Sequence, residues 1–222
     1  LNINKTKKNL YKIEIDGLRA IAVICVIINH FNKNILLSGF LGVDIFFVIS
    51  GYVITASLAN RKNISFREFI SSFYQRRIRR LIPALSFFIF IFTILINLVS
   101  FYPEFYLKSG ISSLFGFSNI IFYRNSLDYF AEDQMLNPFI HTWSLGVEEQ
   151  FYIFFPLIVW ISGFNRKTKN GARNLFISIL FLVICSLIYF VSLYFNNQPA
   201  AYFLMPSRFW EMATGCLLFL LM

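Results

Sequence analysis

Apolar residues along this chain gather in blocks and do not alternate with polar ones. Long blocks mark helices wrapped in apolar surroundings, whereas alternation would mark half-buried strands. The blocks lie near 17–31, 40–58, 81–101, 108–123, 143–163, 174–195 and 207–222. About 20 apolar residues suffice to cross a hydrocarbon layer as a helix, so the pattern predicts a membrane protein. Two blocks are weak. The first is interrupted by Arg19, Asn29 and His30, and 108–123, KSGISSLFGFSNIIFY, is short and holds Gly110, Gly116 and four serines.

Charge then orients the blocks. Of 20 Lys and Arg, four precede residue 15 (Lys5, Lys7, Lys8, Lys12), seven fall in 59–80 and four in 164–173. Loops rich in Lys and Arg stay cytoplasmic, so an even number of crossings should separate each pair of clusters. Three blocks lie between 80 and 164, so one of them does not cross. The weakest, 108–123, is expected to be re-entrant or interfacial, which is tolerated where backbone is buried in protein or lines a wet cavity. The alternative is that all seven blocks cross. The expected architecture is an all-α polytopic transmembrane helix bundle of about six spans plus one re-entrant segment, with the N-terminus cytoplasmic. Loops 32–39, 124–142 and 196–206 would lie outside, with Asp128, Glu132 and Asp133 in the second of them and Trp143 and Trp210 at outer interfaces.

Composition sharpens this picture. Hydrophobic residues make up 57% and charged residues 14%, against about 25% charged in soluble domains. The net charge of +9 sits between apolar blocks, a topology signal and no nucleic-acid stripe. Cys25, Cys185 and Cys216 each lie within an apolar block without paired spacing. They suggest small core residues, with neither a disulfide framework nor a metal site. The first block has no small-residue cleavage site after it, so no cleavable leader is expected. The last block runs into the chain end, which suggests a C-terminally incomplete bundle.

Ionisable groups at membrane depth are costly and usually serve a site. Arg19 and His30 are eleven residues apart. Eleven residues turn about three full turns plus 20°, so the two share a helix face about 16 Å apart. Histidine can take a proton from a hydroxyl near neutral pH, and arginine can hold an anionic or thioester-bearing ligand. The alternative is that Arg19 snorkels to headgroups and His30 caps the outer end. Asp44, expected near the depth of His30, could orient the imidazole, or it could be satisfied by amides at a helix N-terminus. In HTWSLGVEEQFYIFFPL, His141 and Glu148 are seven apart and would share a face. Glu148 and Glu149 point about 100° apart, so at most one faces a given partner, and either could be ordinary bundle glue.

In FYQRRIRRLIPAL, Arg76, Arg77, Arg79 and Arg80 are expected just inside the cytoplasmic face, with Pro83 in the first turn of the following helix. By composition this is a topology signal attracted to anionic lipid. Four guanidinium forks also suit the several phosphates of a nucleotide-type ligand.

Five stretches together resemble acyltransferase family three, the bacterial membrane O-acyltransferases of cell-surface carbohydrate. They are DGLRAIAV followed by His30, GVDIFFVISGYVIT, FYQRRIRRLIPAL, HTWSLGVEEQFY and SRFWEMATGCLL, in family order. The resemblance implies a membrane acyltransferase domain over 1–222, the N-terminal part of a bundle of about ten helices in the bacterial cytoplasmic membrane. It implies an acyl group, usually acetyl, taken from cytoplasmic acyl-CoA and delivered to a glycan hydroxyl outside, in O-antigen, capsule or peptidoglycan. Arg19 and His30 match the family's motif pair, and Arg76, Arg77, Arg79 and Arg80 its arginine motif. Asp44 and Glu148 complete the expected catalytic set, and no metal is expected. The competing reading is a transporter or flippase whose polar groups form a pathway without bond making.

Overall fold

The computed structural model describes residues 13–32, 34–59, 65–101, 103–127 and 136–222. The expectations resting on Lys5, Lys7, Lys8, Lys12, Arg61, Lys62, Asp128, Glu132 and Asp133 lie outside the described residues.

The described residues form helices joined by turns, without strands. In chain order these are α1 (Ile13–Phe31), α2 (Gly42–Ala59), α3 (Phe66–Val99), α4 (Glu104–Leu114), α5 (Ser118–Ser126), α6 (Thr142–Ser162), α7 (Gly171–Asn196), α8 (Gln198–Phe203) and α9 (Met205–Leu221), with a 3-10 turn at Gly39–Leu41. By length and composition, four helices can cross a membrane: 39–59, α3, α6 and α7. Of the six expected spans, four meet that measure among the described residues. The first block forms α1 but has Glu14 and Asp16 in its first turn, and α9 is 17 residues long.

Block 108–123 is split in two. α4 has 11 residues and α5 has 9, roughly 16 and 14 Å of helix, so neither is long enough to cross. Between them the chain turns at Gly116, whose φ of 71° is open to glycine at little cost.

α3 differs from the expected element. It starts before the apolar block because Ser65 accepts a hydrogen bond from the Glu68 amide, the start of a capping box. It then runs for 34 residues with Pro83 inside it, so Pro83 is not in a first turn. Such a helix is about 51 Å long, well beyond the ~30 Å of a hydrocarbon core.

Contacts divide the chain into two compact units, Leu1–Asn60 with Glu211–Met222, and Arg61–Trp210. In the first, backbones approach through glycine. A Cβ on Gly42 would meet the Ala22 carbonyl and Val26, and one on Gly39 would meet Cys25 and Asn29. α2 therefore runs antiparallel to α1. Gly51 faces the Met212 carbonyl and Gly215 faces the Val48 carbonyl, reciprocally. This is the small-residue approach by which membrane helices gain dispersion energy without a hydrophobic drive. Cys216 is buried there, with its Sγ 3.4 Å from the Gly51 carbonyl. Cys25 is half-buried, and Cys185 is exposed on α7, against its expected place in a core.

In the second unit aromatic rings set the register. Phe66 and Phe69 pack on Trp160, Phe73 on Tyr152, and Phe88 and Phe92 on Phe139. α3 thus runs antiparallel to α6, ring against ring. Trp143, expected at an interface, is buried between Tyr202 and Phe203.

Candidate functional site

In the first unit Arg19 and His30 do lie on one continuous helix, α1. Arg19 is half-buried and pairs with Asp16 at 3.1 Å, one turn earlier. His30 is exposed, and its Nδ1 lies 2.8 Å from the Val26 carbonyl. A carbonyl only accepts, so Nδ1 carries the hydrogen and the basic lone pair falls on Nε2. Asn29 next to it donates to the Leu36 carbonyl at 2.9 Å, tying the end of α1 to the following turn. Asp44 stands in the first turn of α2. Since Gly42 closes on Ala22 and Val26, the Asp44 backbone enters beside the middle of α1.

In the second unit the antiparallel register places the arginine run. Tyr74 donates its hydroxyl to the Tyr152 carbonyl at 3.1 Å, so Arg76 to Arg80 lie level with Gln150 to Gly146. Tyr152 is ten residues from the end of α6 at Ser162, about 15 Å along the axis. The run ends at Arg80, immediately before the apolar part of α3.

The four arginines also separate. Arg76, Arg79 and Arg80 are exposed on α3, while Arg77 is half-buried. Its guanidinium lies 4.6 Å from the centre of the Tyr152 ring and 5.8 Å from that of Phe73. The Tyr152 hydroxyl donates to Glu148 Oε2 at 3.2 Å. One tyrosine thus touches both the arginine run and the carboxylate. Glu149, the neighbouring acid, points elsewhere and covers the Gly116 turn, as the 100° offset requires.

Between α4, α5, α6 and α8 lies a buried polar cluster that sequence reading missed. Gln150 Nε2 donates to the Gly116 carbonyl at 2.9 Å and to Asn119 Oδ1 at 2.8 Å. Asn119 Nδ2 donates to the Phe203 carbonyl at 2.9 Å. Ser118 donates to the Thr142 carbonyl at 2.7 Å, and Ser113 and Thr142 share a hydrogen bond at 2.6 Å. Gly146 makes room, because a Cβ there would lie 2.9 Å from Asn119 Oδ1. The signal was present as serines in an apolar block, but nothing local named their partners.

Arg208 was missed as well. It is 7% exposed, and its guanidinium lies 5.7 Å from the Trp143 ring centre and 5.4 Å from that of Tyr202. Glu211, 1% exposed, is a second buried charge on α9. Both sit within a stretch quoted above for its pattern, not for its charges.

Comparison with known proteins follows from this geometry. The family model described as "Acyltransferase domain", acyltransferase family three, matches residues 12–221. The chain is 38% identical over 208 residues to "O-acetyltransferase OatA" of Staphylococcus aureus, covering 92% of this chain and 34% of that protein. It is 38% identical over 224 residues to "Putative peptidoglycan O-acetyltransferase YrhL" of Bacillus subtilis, covering 97% of this chain and 34% of that protein. The chain spans about a third of the length of the curated relatives it matches. No solved structure matches it.

Proposed function

The chain belongs to acyltransferase family three, and on that premise we propose that the protein is an integral membrane O-acyltransferase of the bacterial cytoplasmic membrane. It moves an acyl group, acetyl first of all, from cytoplasmic acyl-CoA to a hydroxyl of a cell-envelope glycan. The printed name of the B. subtilis relative favours peptidoglycan over O-antigen or capsule as that glycan.

The observation that supports this reading most is that the arginine run and Glu148 meet at one side chain, Tyr152, whose ring lies 4.6 Å from the Arg77 guanidinium and whose hydroxyl donates to Glu148. In this reading Arg76, Arg79 and Arg80 hold the phosphates of acyl-CoA, and guanidinium forks suit that task. α4 and α5 are the re-entrant segment, with their polar backbone satisfied by the Gln150–Asn119 cluster.

The chemistry falls to His30. With Nδ1 hydrogen-bonded to Val26, Nε2 takes the proton of the acceptor hydroxyl while its oxygen attacks the thioester carbonyl. The C–S bond breaks, and the departing CoA sulfur receives that proton. A route through an acyl group carried on Nε2 uses the same atom. Arg19 steadies the thioester end of the donor, and Asp44 supports the site electrostatically.

The test uses full-length protein in nanodiscs with acetyl-CoA and a peptidoglycan fragment. Release of free thiol together with mass-spectrometric gain of acetyl on the glycan is expected. His30→Ala should lower both by about 100-fold or more while the protein still inserts and purifies. A protein that releases no thiol yet moves a glycan across the bilayer would be a transporter. A His30→Ala variant with full activity would remove His30 from the chemistry.

A further inference from the structure

Tyr152 was not among the expected site residues, yet it is the side chain that touches two of them. It is 7% exposed, and phenylalanine would fill the same space without a hydroxyl to satisfy. A buried phenol needs a partner or costs stability. Here the partner is Glu148 Oε2 at 3.2 Å. Its ring separately meets the Arg77 guanidinium at 4.6 Å. Phe73 flanks that guanidinium at 5.8 Å, and Tyr74 fixes the Tyr152 backbone by donating to its carbonyl.

We propose that Tyr152 is a positioning residue with two separable jobs in the acyl transfer. Its hydroxyl holds the Glu148 carboxylate in place for the transfer step. Its ring anchors Arg77, and through it the turn of α3 that presents Arg76, Arg79 and Arg80 to the donor. Arg77 is then the pin of the arginine motif and not one of its phosphate ligands. The proposal rests on the acyltransferase reading above. The ring's grip is physical: a guanidinium over an aromatic face is attracted by its quadrupole, more so when desolvated. The hydroxyl's grip is a hydrogen bond to a carboxyl oxygen of Glu148.

The two jobs separate kinetically. The experiment measures kcat and the KM for acetyl-CoA by thiol release in full-length protein. Tyr152→Phe keeps the ring and is expected to lower kcat about tenfold, with KM within twofold of wild type. Tyr152→Leu loses both groups and should also raise KM about tenfold, as should Arg77→Ala. The double variant Arg77→Ala/Tyr152→Leu should show no greater KM than either single variant, since the same contact is removed once. Residues that merely packed the core would move yield and thermal stability without dividing kcat from KM. A Tyr152→Phe enzyme with wild-type kcat, or KM effects that multiply in the double variant, overturns the proposal. No thiol release from wild type would instead overturn the acyltransferase reading itself, and this inference with it.

Discussion

The polar residues of α1 and those buried between α4, α5, α6 and α8 solve the same difficulty in opposite ways. In α1 Arg19, His30 and Asn29 each have a partner close along the chain. Arg19 pairs with Asp16, His30 with the Val26 carbonyl, and Asn29 with Leu36. In the second unit the partners are remote: Asn119 reaches Phe203, 84 residues on, and Gln150 reaches Gly116, 34 residues back. A group satisfied locally can be exposed and can change partners when a ligand arrives. A group satisfied across four helices is committed to the fold. The first arrangement suits chemistry, and the second suits holding a short helical hairpin in place.

Breaking the remote network should cost the most. Gly146→Leu forces a side chain into the space of Asn119 and Ser118. Overpacking of this kind costs about 1–3 kcal/mol and here disrupts several hydrogen bonds together. The expected result is loss of a monodisperse peak in detergent, or a thermal midpoint lowered by roughly 10 °C. Asn119→Leu is the next step down, because it strands the Phe203 carbonyl and one Gln150 donor. Hydrogen bonds in membrane proteins average about 0.6 kcal/mol with a maximum near 1.7, so a midpoint lowered by about 3–5 °C is expected. Arg19→Gln should be the smallest effect on stability. Partly exposed ion pairs contribute about 0.2–1 kcal/mol, which is a shift of about 1–2 °C. The contrast is sharp if that variant keeps its stability but loses activity. A destabilisation as large as that of Asn119→Leu would place Arg19 in the framework, and the distinction between the regions would fail.

These differences mirror what could be read in advance. The apolar runs behind 39–59, α3, α6 and α7 were visible as blocks, because a helix in lipid satisfies its own backbone and needs only length and apolarity. The weakness of 108–123 was equally visible, since Gly116 and the serines are wrong for a lipid-facing span. The shared face of Arg19 and His30 followed from helical geometry alone. Tyr152, Asn119 and Arg208 were passed over because each resembles a common core or interface residue until its partner is known. The contact of Arg77 with Tyr152 was missed for a related reason. Its position along α6 depends on ring contacts such as Phe73 with Tyr152 and Phe69 with Trp160, between segments about 80 residues apart.

Sequence by itself determined the helical class, the places where apolar segments begin and fail, and the residues able to do acid–base work. Those properties depend on neighbours within a turn or two, where spacing is set by the 3.6-residue period. Tertiary structure decided the register of α3 against α6, which arginine turns inward, and which of two adjacent glutamates meets a tyrosine. Such choices are fixed by side-chain packing between remote segments. In a membrane, lipid is as apolar as the helix faces, so close fit and buried hydrogen bonds select the arrangement.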